Sequence, residues 1–185
     1  ECLSMKKNGY IDSGIKSIRL MREAEPKMFW KYCTFVIIHG LSWTIQVVAT
    51  QLFFDTAQSF YDGRVKIGFL IFTLLCMIGA YALTQVMNGV DNCFANIYFL
   101  AIHKYSNLEI FKKIDELNCA QFESTKKLDM INKAVSGSNS TAWVGFTLID
   151  VFLFYTTYFL SMSIYLFRLK PVLCVCILIV FIPCY

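Results

Sequence analysis

Two stretches of this chain contain no Asp, Glu, Lys or Arg: residues 32–54, 23 long, and residues 67–90, 24 long. A helix needs about 20 mostly apolar residues to cross a bilayer core roughly 30 Å thick, so each stretch is a full span. A third run, 141–167, is interrupted only by Asp150. A fourth begins at Pro171, well placed as a first helical residue, and its apolar part runs from Val172 to Tyr185. Composition points the same way. Hydrophobic residues are 57% and charged residues 16% of the chain. Globular domains have about 45–50% and about 25%. Such a chain cannot cover a water-soluble globule, and it is too apolar for disorder. The expected fold class is an all-α, polytopic membrane bundle.

The second run carries the strongest constraint. No proline occurs from 67 to 113 and no glycine after Gly89, and helical periodicity continues past Asp91 through CFANIYFLAIHKYSNLEIFKKI. A helix over 67–113 is about 70 Å long at 1.5 Å per residue. It must project some 30 Å or more beyond the lipid.

Around these spans the chain is polar. Residues 1–31 read as a tail, with a short amphipathic helix over 13–25 able to lie on a membrane face and ended or kinked by Pro26. Residues 55–66 form a turn containing Asp62-Gly63. Residues 114–140 read as mixed polar helix and loop, with Gly137 in a Ser/Asn-rich break. Arg168, Leu169 and Lys170 read as a tight turn between the third and fourth spans. Lys and Arg are concentrated in the tail and in 104–133, thirteen against four in the other two connections. That bias predicts an N-terminus and a 114–140 loop on the cytoplasmic side, where the Asn139-Ser140-Thr141 sequon goes unused. The chain starts at Glu1, without Met, and ends inside an apolar run of 14 residues, shorter than a span. It is therefore expected to continue at both ends.

This plan resembles the first half of a type-1, six-helix ABC exporter transmembrane domain, from its first helix to the start of its fourth. The carrying residues lie in FKKIDELNCAQFESTKKLDMINKA. Family members, bacterial peptide and lantibiotic exporters among them, often show an Asp, a Phe-Glu a few residues on, a further Asp and a closing Ala. The matching positions are Asp115, Phe122-Glu123, Asp129 and Ala134. The segment LFRLKPVL is similar to the family's third-to-fourth helix turn. The resemblance implies that 114–140 is a coupling loop, with Asp115, Phe122, Glu123 and Asp129 meeting a nucleotide-binding domain. It further implies a second transmembrane domain in a homo- or heterodimer, a transported substrate such as a peptide, and a bacterial cell membrane. ATP and magnesium would bind the nucleotide-binding domain. This chain has no Gly-Lys-Ser/Thr sequence to wrap a phosphate, and the exporter as a whole would be the ATP-hydrolysing machine.

Three residues are candidates for a substrate pathway. Asp150 sits ten residues into the third run, and an intramembrane carboxylate marks a cavity unless it reaches the headgroups. Asn88 and Asp91 lie near the inner end of the second span and are placed to face Asp150 across a vestibule. His39 reads as a packed polar group and His103 as a surface one. Gly40, Gly68, Gly79, Gly89 and Gly145 read as helix-packing points. No catalytic triad, paired-carboxylate site, metal-ligand spacing or nucleic-acid signature is present in the sequence. The alternative reading is a multipass receptor or channel subunit without ATPase coupling, which does not require a helix running beyond the membrane.

Overall fold

The computed structural model describes residues 9–118 and 124–172. Among them the regular structure is all helical. The elements are α1 (Gly9–Ala24), α2 (Pro26–Tyr61), α3 (Ile67–Asp115), α4 (Thr125–Ile149), a π-helical stretch (Asp150–Tyr155) and α5 (Thr156–Leu169). Three helical segments are long and apolar enough to cross a membrane: Pro26–Tyr61, Ile67–Asp115 and Thr125–Leu169. The chain is an integral membrane protein by that measure.

The helix borders follow local chemistry. Pro26 has no N–H to offer and opens α2 after a one-residue break at Glu25. Asp62 and Gly63 close α2, with Gly63 at φ 73°, a conformation that glycine adopts without cost. α3 then runs unbroken for 49 residues. No residue between Ile67 and Asp115 removes a backbone donor, so nothing interrupts the ladder at Asp91.

Two sequence expectations are corrected. Gly137 does not break the chain, because α4 passes straight through it. Thr141 donates to the Gly137 carbonyl at 2.8 Å and Ser140 to that of Ser136 at 3.4 Å, so these polar side chains bond back along the helix. The helix that follows the expected loop therefore begins already at Thr125. Likewise Arg168 and Leu169 belong to α5. Only Lys170, extended at φ −154° and ψ 113°, interrupts the helix before Pro171. Residues 173–185, the bulk of the expected fourth span, lie outside the described residues.

The chain divides into two compact units, Glu1–Thr34 with Asn92–Asp150, and Phe35–Asp91 with Val151–Tyr185. In the first, α1 packs on α4. Gly14, Ser17 and Met21 form its buried stripe at the i, i+3, i+7 spacing of one helix face. Gly145 admits Met21: a Cβ there would strike the Met21 sulfur and lie 3.5 Å from the Ser17 carbonyl. α1 thus spends one face on protein, and only its other face is available to a membrane surface. The core beside it is aromatic. Tyr32, Tyr98 and Phe146 are buried, with ring centroids 5.3–6.0 Å apart. The Tyr98 hydroxyl donates to the Met21 carbonyl at 2.6 Å.

In the second unit small and hydroxylated residues hold helices together, as expected where apolar surface gains nothing by leaving lipid. Thr84 donates to the Ser42 carbonyl at 3.2 Å. Thr44 and Ser161 share a hydrogen bond of 2.6 Å, and Tyr165 donates to Gln51 Oε1 at 2.5 Å. A Cβ on Gly40 would lie 2.9 Å from the Phe154 carbonyl oxygen. Gly68, Gly79 and Gly89 have nothing within 4 Å of such a Cβ, so of the five expected packing glycines only Gly40 and Gly145 serve that role here.

Candidate functional site

The second unit contains a buried chain of polar groups. His39, on α2, is 5% exposed. Its Nδ1 lies 3.3 Å from Asp91 Oδ2 on α3. Its Nε2 accepts from the Trp43 indole N–H at 3.2 Å. An indole nitrogen only donates, so Nε2 must be bare. The proton of the neutral ring is therefore on Nδ1, facing the carboxylate. Phe154, in the π-helical stretch, covers the imidazole with a centroid separation of 5.0 Å and stands edge-on to Trp43 at 6.3 Å. Asp91 Oδ1 is buried without a hydrogen-bond partner.

The arrangement has two chemical consequences. It ties α2 to α3 through a polar contact whose rupture would strand a carboxylate among apolar groups. It also places two ionisable side chains inside membrane-spanning segments, where ionisable groups line pathways more often than they fill cores.

Asp150, in the first unit, is the first residue of the π-helical stretch and accepts from the Tyr32 hydroxyl at 3.3 Å. Tyr32 in turn stacks on Phe94, with centroids 6.1 Å apart and planes 4° apart. Asp150 is thus anchored by a phenol on α2. A π-turn widens the backbone ring and is common beside functional groups. Asn88 is exposed on α3.

The coupling candidates divide. Asp115 ends α3. Asp129 is exposed on α4 and pairs with Lys133 at 2.6 Å, one turn along the same helix. Phe122 and Glu123 lie outside the described residues. Ala134 lines a cleft of about 270 Å³ with Ile110, Lys113, Ile114, Leu117, Lys127, Met130 and Ile131. The cleft lies where α3 ends and α4 begins.

Sequence reasoning picked out Asp91 and Asp150 but not their partners. His39 was expected only to be packed, and Tyr32 carried no signal, since it sits 118 positions from Asp150. His103 is not a surface group: it is half-buried, stacked on Phe99 with planes 4° apart, and bonded to Asn107 at 3.1 Å. Among the described residues no three His, Cys, Asp or Glu side chains stand close enough to hold a metal ion. No protein-family model, curated protein or solved structure matches the chain.

Proposed function

We propose that this chain is the membrane-spanning part of an ATP-driven exporter of the ABC type, forming a substrate pathway and coupling it to a nucleotide-binding domain. One observation supports this reading above the others. α3 has 49 residues and the α4–α5 segment 45, each over twice the length a bilayer requires, and they are joined by a short connection. Helices that overshoot the lipid this far need a use for their outer ends, and a receptor or channel built from simple spans has none. A stiff helix carries motion over its length if its tip is gripped, and the grip falls to the 115–129 segment.

On this reading Asp115 and Asp129 face the nucleotide-binding domain together with Phe122 and Glu123. Nucleotide and magnesium belong to that domain and not to any residue described here. A second transmembrane domain completes the pathway, and Asp91, Asp150 and Asn88 are the residues proposed to line it. A peptide is the proposed substrate class, and a bacterial cell membrane with a cytoplasmic N-terminus the proposed setting. The test is vanadate-sensitive ATP hydrolysis by the intact transporter assembled from this chain in its own membranes. A cysteine at Asp129 should cross-link to the ATPase domain. Absence of both ATP hydrolysis and the cross-link refutes the proposal.

A further inference from the structure

The junction of α1 and α2 bears an unpaired basic surface. On α1 the buried stripe of Gly14, Ser17 and Met21 leaves Arg19 on the opposite face and Arg22 on its flank, both exposed. On α2 the buried stripe of Phe29, Tyr32, Cys33 and Val36 leaves Lys27 and Lys31 on the opposite face and Trp30 on its flank, all exposed. Trp30 is 65% exposed. Among the described residues none of the four cations forms an ion pair, whereas Lys16 is taken by Asp12 at 2.5 Å. All five side chains belong to one compact unit.

These residues precede the uncharged run that starts at Tyr32. An indole at the mouth of a span sits at headgroup depth, because its ring is apolar and its N–H needs a polar partner. Arg and Lys stems lie along apolar surface while their heads stay in the polar layer. The cations left unpaired beside Trp30 are therefore held at the depth of lipid phosphates.

We infer that Arg19, Arg22, Lys27 and Lys31 form a binding surface for anionic lipid headgroups, with Trp30 seated beside the bound lipids. The occupant is a lipid and not a soluble acidic protein, because the surface is continuous with a membrane-spanning helix and carries its own interfacial aromatic residue. Each basic residue near an anionic surface favours binding on the order of fivefold. Glu23 and Glu25, in the same stretch, oppose part of this. The inference needs only that α2 spans the membrane and is independent of the exporter reading.

The experiment is quenching of Trp30 by brominated lipid. The full chain and its Trp30→Phe variant are reconstituted in phosphatidylcholine–phosphatidylglycerol vesicles at equal mole fractions, brominated in one lipid or the other. The difference between the two proteins isolates Trp30 from Trp43 and Trp143. Brominated phosphatidylglycerol should quench Trp30 with a preference of about fivefold or more over brominated phosphatidylcholine. The preference should fall to unity in R19Q/R22Q/K27Q/K31Q and persist in R19K/R22K, whose charge is unchanged. Salt at 1 M, where the screening length is about 3 Å, should weaken it strongly. Equal quenching in the unmodified chain overturns the inference, as does a preference that survives in the quadruple variant. Inorganic phosphate, at matched ionic strength, should leave the preference intact. Its loss there would mean a site for free anions and would likewise overturn the inference.

Discussion

Replacing Gly40 by alanine tests the closest helix approach in the second unit. A Cβ at this position would lie 2.9 Å from the Phe154 carbonyl oxygen, 3.4 Å from Thr157 Cβ and 3.6 Å from the Phe154 carbonyl carbon. Two of the three obstacles are backbone atoms, which no side-chain rotation can move. α2 must shift away by several tenths of an ångström, and Phe154 then loosens its cover over His39 and Trp43. Overpacking of this kind costs about 1–3 kcal/mol, and a backbone obstacle places it in the upper half of that range. Alanine also gains about 1 kcal/mol over glycine in a helix interior. The net is a loss of about 1–2 kcal/mol, against about 2–4 °C of melting temperature per kcal/mol for a chain of this size. Gly40→Ala should therefore lower the melting temperature in detergent by about 2–8 °C, read by the loss of monodisperse protein on heating. Gly79→Ala is the control. Nothing lies within 4 Å of its Cβ, so it should melt at or above the parent temperature. A Gly40→Ala protein as stable as Gly79→Ala would refute the close-packing argument.

Four further outcomes are expected. Asp91→Ala should destabilise the protein by about 1–3 kcal/mol, the cost of leaving the buried His39 Nδ1 without its polar neighbour, and a double-mutant cycle with His39→Leu should show clear coupling; additive effects would dissolve the pair. Tyr98→Phe removes the donor to the Met21 carbonyl and should cost about 1 kcal/mol, with faster amide exchange throughout α1. In the Asp62-Gly63 turn, the Arg64 guanidinium holds the exposed Asp62 carboxyl below the usual carboxylate range, helped by a hydrogen bond from Gln58. Because the folded value is depressed, its contribution is full above the ordinary carboxylate value near 4 and is lost as pH falls through the lower folded value; Arg64→Gln should raise the Asp62 titration midpoint seen by NMR. For orientation, Asn139 should remain unglycosylated when the chain is expressed in a eukaryotic membrane; a sugar there reverses the assignment.

The sequence made the long elements legible because their signals are local. Uncharged runs set the middle of α2 and the first half of α3, and Pro26 marked the end of α1, but residues 55–61, expected to belong to a turn, continue α2 to Tyr61. Local signals also misled. The serines and Asn139 around Gly137 look like a break, yet inside a helix Ser140 and Thr141 turn their hydroxyls onto backbone carbonyls one turn back. The polar site was only half visible. An Asp late in an apolar run announces itself, but what satisfies it is set by packing. Nothing in spacing joins Asp91 to His39, and still less Asp150 to Tyr32. The π-helical stretch left no trace either, because DVFLFY has no residue that demands a wide turn.

The central claim is that α3 leaves the lipid past Asp91, near Tyr98, whose ring meets Tyr32 at the start of the uncharged run of α2, and continues in water as the same helix to Asp115. A nitroxide scan along residues 67–115 of the reconstituted chain measures this directly. The account predicts high oxygen accessibility before about residue 98, high accessibility to a water-soluble nickel reagent after it, and a 3.6-residue period running unbroken through the change. Oxygen accessibility persisting to residue 115, or a period lost at Asp91, would contradict it.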